Sequence, residues 1–120
     1  MRYKSALAIG LTLVFVLLLV IPANAEQTRY CDVYRKLSFS NNAAICKCEI
    51  SADSSSDWIS ATMELWRGTT MLNSWSTSGA ESISMDETES VTRYQTYRLV
   101  INYSVNGITQ SPVETSKYYG

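Results

Sequence analysis

The chain has 120 residues, 10 Lys and Arg against 11 Asp and Glu, a formal charge of −1 and no histidine. That length suits one domain, and the lack of any run of Lys or Arg argues against nucleic acid, which calls for a concentrated positive face. The missing histidine removes the Ser-His and Cys-His nucleophile pairs and the commonest transition-metal ligand together.

Residues 1–25 have the three parts of a secretory signal peptide. Arg2 and Lys4 give a positive start, Leu11 to Ile21 is almost wholly apolar, and Ala23-Asn24-Ala25 is a small-x-small site with cleavage expected after Ala25. The competing reading is an uncleaved anchor, because Ser5 to Ile21 approaches the lower limit of a membrane span. Pro22 and the cleavage site favour removal, and no cysteine sits at the junction to take a lipid. The product is expected to be secreted, one domain over 26–120. Loss of Arg2 and Lys4 leaves 8 basic against 11 acidic side chains, a formal charge of −3.

Residues 26–42 form a leader and a first strand, placed near Lys36 to Ser40 because Leu37 and Phe39 are in phase there, with Asn41-Asn42 as a turn. Residues 43–120 then supply the rest of the domain. Ala43 to Ser51 puts Ala44, Cys46, Cys48 and Ile50 on one face of a half-buried strand. Ala52 to Asp57 is a polar loop. Asp53 and Asp57 bracket three serines in it, but a calcium loop would gather more carboxylates and a glycine, so no metal is assigned.

Trp58 to Trp66 alternates cleanly, with Ile59, Ala61, Met63 and Leu65 inside and both tryptophans outside. Arg67 to Thr70 turns the chain, Met71 to Ser76 is a short strand with Trp75 inward, and Ser78-Gly79 ends it. Ile83 and Met85 mark a strand over Glu81 to Asp86, and the acidic run Asp86 to Ser90 reads as a solvated loop. Thr92 to Val105 and Ile108 to Tyr119 form a hairpin about Asn106-Gly107, the pair that best tolerates the positive φ angles of a type I′ turn. Tyr97, Leu99, Ile101, Tyr103 and Val105 share its apolar face. Pro112 cannot donate to a ladder, so the last strand should lie at an edge or bulge there. Strands at a spacing of roughly 8–12 residues predict an all-β, immunoglobulin-like β-sandwich of about seven antiparallel strands, with Tyr97 placed as a tyrosine-corner residue.

Cys31, Cys46 and Cys48 are an odd set for an exported chain. Cys46 and Cys48 sit two apart on one face, where a mutual bridge would be strained. Cys31 could pair with Cys46 or Cys48, closing a loop of about 15 residues worth on the order of 3 kcal/mol. The alternative is that Cys46 and Cys48 are small core residues.

Trp58 and Trp66 lie on the outward parity roughly 26 Å apart along their strand. With Tyr119, and with Tyr94 or Tyr118 nearby, they are the candidate ligand-binding residues for stacking on a polysaccharide. The alternatives are ordinary packing at the sandwich edges, or contact with another protein through an edge strand or the Tyr-rich carboxyl end. Catalysis has no support: Glu64, Glu81, Asp86, Glu87 and Glu89 supply carboxylates, but nothing in their spacing selects a pair. No cofactor is implied. Asn102-Tyr103-Ser104 matches a glycosylation acceptor in mid-strand.

Two stretches, ISATMELWRG (Ile59 to Gly68) with LNSWSTSG (Leu72 to Gly79), and TYRLVINYSVNG (Thr96 to Gly107), resemble small secreted, immunoglobulin-like proteins of Gram-positive bacteria whose function is uncharacterised. The likeness covers most of residues 43–119 and implies a β-sandwich with no active site. The cysteines and the Cys31-bearing leader depart from it. The function expected is that of an exported module with a binding or structural role outside the cell or at its envelope. A carbohydrate-binding module and a secreted antagonistic peptide or toxin are the rival classes.

Overall fold

The structure is a computed structural model that describes residues 31–120. The expected signal peptide, its expected cleavage after Ala25 and the leader up to residue 30 lie outside the described residues. The strands in chain order are β1 (Cys31–Ser40), β2 (Ala43–Ala52), β3 (Trp58–Arg67), β4 (Thr70–Ala80), β5 (Ser82–Ser90), β6 (Gln95–Val105), β7 (Ile108–Thr109) and β8 (Val113–Tyr119). They form two antiparallel sheets. One has the order β1-β2-β5; the other has the order β4-β3-β6, with β7 and β8 both paired to the far side of β6. In immunoglobulin lettering these are A-B-E and C′-C-F-G, so the fourth strand joins the sheet of the third and sixth. The expected immunoglobulin-like β-sandwich is the observed fold.

Alternation decides which faces meet. Ala44, Cys46, Cys48 and Ile50 of β2 are buried and face, across the core, the buried Ile59, Ala61, Met63 and Leu65 of β3 and Tyr97, Leu99 and Ile101 of β6. Trp75 and Tyr103, expected inside, are partly buried and pack against this cluster. Val100, on the outward parity, is nonetheless buried. Register places it between Glu64 and Glu114.

Tyr97 forms the tyrosine corner. Its hydroxyl donates to the Thr92 carbonyl (2.8 Å) and accepts from the Thr92 amide (3.0 Å). Tight turns close the hairpins where positive φ is available: Asn41 (52°) and Asn42 (60°) join β1 to β2, and Asn106 (53°) and Gly107 (81°) join β6 to β7.

Several boundaries differ from the sequence reading. The first strand spans all of Cys31–Ser40 and pairs from Cys31↔Ala52 to Ser40↔Ala43. Arg35 interrupts the in-phase run of Val33, Leu37 and Phe39, which hides the strand in the sequence. The arginine is accommodated because β1 is an edge strand, and its Nε donates to the Glu114 carbonyl of β8 (3.1 Å). The acidic run Asp86 to Ser90 is strand, not loop, laddered onto Ala43 to Lys47 of β2. Glu87 and Glu89 share the inward parity of Ile83 and Met85, yet at a sheet edge they stay half-exposed. Glu81 is a hinge between sheets with φ of 70°. Its amide donates to the Asp57 carbonyl and its carbonyl accepts from the Ala52 amide, each at 2.8 Å. At Pro112 the last strand breaks into β7 and β8. Ser104 faces Thr109 while Ile101 faces Val113, so one extra residue bulges out there.

Candidate functional site

The outer face of the five-stranded sheet is built by the residues that alternate away from the core. Register sets Ser60 between Ser78 and Ser104, and Thr62 between Ser76 and Asn102. These hydroxyl and amide groups line a shallow depression of about 550 Å³ that also includes Thr109. Thr62 Oγ1 and Ser76 Oγ hydrogen-bond at 3.0 Å across it. Its lining carries no carboxylate and no basic group.

Trp58 stands one register step beyond this depression and is 52% exposed. The β6–β7 turn fixes its position. Its amide donates to Asn106 Oδ1 (2.8 Å), its carbonyl accepts from the Asn106 amide (2.7 Å), and Asn106 Nδ2 donates to Asp57 Oδ1 (2.9 Å). Asn106 therefore both makes the hairpin turn and clamps the start of β3. Asp57, considered above for a cation, is engaged in this clamp.

Trp66, at the other end of β3, is half-buried and committed to its neighbours. Its Nε1 donates to Glu64 Oε1 (2.9 Å), and the Arg98 guanidinium lies 5.3 Å from its ring centroid, in turn 3.7 Å from Glu114. One face of the indole is thus occupied. Tyr119, a candidate ligand residue from the sequence, is a core residue: it is 7% exposed, stacks on Phe39 at 4.5 Å and 6°, and its hydroxyl accepts from the Asn42 amide (2.9 Å). It lies on the inward parity of β8, opposite Gln95, and phase from Val113 identifies it as inward. Of the other tyrosines considered for the platform, Tyr118, on the outward parity, and Tyr94 are exposed, at 58% and 70%. Of the proposed aromatic platform, Trp58 remains open, Trp66 is partly covered and Tyr119 is enclosed.

Of the two readings of the cysteines, the bridge from Cys31 to Cys46 or Cys48 is not formed. All three cysteines are free. Cys31 faces Ala52, whereas Cys48 faces Arg35 and Cys46 faces Leu37. The nearer thiol is therefore displaced by four residues, roughly 13 Å along the ladder, beyond the reach of a disulfide. Burial pushes the Cys46 thiol up to about 12, with Glu89 and Glu87 adding to the effect, and pushes Cys48 up to about 11, with Glu49 adding. Cys31 is also raised, by burial and then by Asp57, Asp53 and Asp32. Thiols held neutral in this way are poor nucleophiles. No group of three or more metal-ligating side chains occurs among the described residues.

No protein-family model and no curated protein matches the chain. Among solved structures, it is similar to Bacteroides uniformis beta-glucuronidase 2 covalently bound to cyclophellitol-6-carboxylate aziridine, at 10% identity and a TM-score of 0.50, over 75% of this chain and 13% of that one. A beta-glucuronidase of glycoside hydrolase family 2 matches at 11% identity and a TM-score of 0.43, over 75% of this chain and 11% of that one. The sensor domain of an anti-sigma factor of Pseudobacteroides cellulosolvens matches at 12% identity and a TM-score of 0.43, over 74% and 95%. The chain thus spans only about an eighth of the glucuronidase it matches first, and the likeness is one of fold.

Proposed function

We propose that the chain is an exported, non-catalytic β-sandwich module that acts outside the cell or at its envelope, and that it binds a neutral polysaccharide along the outer face of β4, β3 and β6. The observation that carries this reading is the uncharged depression lined by Ser60, Thr62, Ser76, Ser78, Asn102 and Ser104, with Trp58 exposed at its margin. Hydroxyl and amide groups donate and accept, as sugar hydroxyls do. A rigid, exposed indole offers an apolar plane beside them. Export is supported by the amino-terminal signal sequence. The likeness of the strand motifs to small secreted proteins of Gram-positive bacteria points the same way. A non-catalytic role is supported by the engagement of Glu64 with Trp66 and by the protonated thiols.

The test is depletion of purified protein by insoluble cell-wall and plant polysaccharides. Retention is expected on at least one neutral glycan. Trp58→Ala should weaken it by about ten-fold or more, as loss of an aromatic anchor does, and Ser104→Glu should weaken it by placing a charge in the depression. Equal retention of wild type and both variants, or no retention on any glycan, refutes the proposal.

A further inference from the structure

Each sheet ends in strands whose outer backbone groups have no ladder partner, and such edges invite pairing with another chain unless they are guarded. Three of the four edges are guarded. β1 carries Asp32, Arg35 and Lys36, with Arg35 reaching across to β8. β5 carries Asp86, Glu87 and Glu89. β8 follows the Pro112 bulge and carries Glu114 and Lys117.

β4 differs from all of them. Its eleven residues, TMLNSWSTSGA, contain no charge and no proline, and none of them is buried. Among the described residues its only ladder partner is β3. The register break falls between Leu65 and Trp66, opposite the start of β4, so Asn73 to Ala80 run without interruption against Leu65 to Trp58. This is a long, regular edge whose own residues are uncharged, the nearest carboxylate being that of Glu89 on β5, which accepts from Asn73 Nδ2 (2.8 Å) near its start.

We infer that β4 is a self-association surface, on which a second copy of this chain adds its own β4 antiparallel about a two-fold axis at Ser76. An isologous contact must tolerate each residue near its own copy. In this register Ser76 faces Ser76, Trp75 faces Thr77, Ser74 faces Ser78 and Asn73 faces Gly79. No like charges meet and no large side chain is set against another. A two-fold at the centre of β5 would set Asp86 against its own copy, so of these two edges β4 is the self-complementary one. Opposed residues in antiparallel strands point to the same face. The axis is then perpendicular to the sheet, and the two hydroxyl-bearing outer faces become one continuous surface.

The experiment is sedimentation equilibrium of the processed full chain from micromolar to millimolar concentration, with a reductant present so that no Cys31-linked dimer contributes. Wild type should rise to twice the monomer mass. Ser76→Lys and Ser76→Glu, each placing two like charges at the axis, should stay at monomer mass, and an equimolar mixture of the two should recover the doubled mass. Lys117→Glu, on the opposite edge, should associate as wild type does. Thermal unfolding of each variant verifies that it is folded. A wild type that remains monomeric throughout, a Ser76→Lys protein that still doubles, or a mixture that stays monomeric overturns the inference.

Discussion

Tyr97→Phe removes one oxygen atom and leaves the ring, so it isolates what the tyrosine corner contributes. The side chain is fully buried, and its ring lies 5.5 Å from Phe39 in a tilted contact that the phenylalanine keeps. What disappears is the bond donated to the Thr92 carbonyl at 2.8 Å and the bond accepted from the Thr92 amide at 3.0 Å, with a longer and weaker hydroxyl contact to Thr92 Oγ1 at 3.4 Å. Each such bond contributes about 0.5–1.5 kcal/mol net, so the loss should be about 1–3 kcal/mol. Thr92 itself is exposed, and water can re-engage its backbone, which keeps the loss from reaching the several kcal/mol of a sealed polar group. For a domain of this size the melting point should drop about 4–8 °C for each kcal/mol. Urea unfolding of wild type and variant measures it, with the m-value unchanged if only the native state is affected. A loss below about 0.5 kcal/mol, or a changed m-value, would show that the corner does not anchor the segment between the sheets.

Other expectations address the cysteines and the carboxyl end. Thiol titration of the denatured protein should count three free thiols, with Cys31 the fastest to react in the native state because it alone is partly exposed; a count of one would restore the bridge. Alkaline pH should destabilise the fold. The unfolded thiols release protons near 9.0 while Cys46 and Cys48 hold theirs to about 12 and about 11, so the native state binds more protons in that window and stability falls as pH rises through it. Between pH 9 and 10.5 the fall should be shallower in Cys48→Ala by about 1–2 kcal/mol, read from urea midpoints, and parallel curves would contradict the assignment. Tyr119→Ala should cost about 3–5 kcal/mol, as a large core truncation does. Tyr118→Ala should stay within about 0.5 kcal/mol of wild type, and equal losses at the two positions would show that the register of β8 is wrong.

Local pattern and tertiary context divide the molecule between them. β2, β3 and β6 were legible because each lies inside a sheet with one face buried, which imposes a strict period of two on Ala44 to Ile50, Ile59 to Leu65 and Tyr97 to Val105. The turns at Asn41-Asn42 and Asn106-Gly107 were legible because positive φ restricts the residue types that can occupy them. Strand length at the edges was not. β1 continues through Arg35 and β5 through Asp86 to Ser90 because backbone ladders to β2 hold them, and an edge strand can carry charge where a central one cannot. The candidate site shows the same division. The outward parity of Trp58 and Trp66 follows from the sequence, whereas the Arg98 side chain that covers Trp66 comes from a strand thirty-two positions away in the chain.

The sequence by itself determined an all-β sandwich, the inward faces of its central strands and the place of its tyrosine corner, because these follow from local alternation and turn chemistry. Only the tertiary structure decided that Cys31 stands out of reach of Cys46 and Cys48, that Tyr119 belongs to the core, that the serines, threonines and Asn102 of three strands gather into one depression beside Trp58, and that β4 is the unguarded edge. Those properties depend on the register between strands distant in the chain, and backbone hydrogen bonds that set register carry no signature in any one strand's residues.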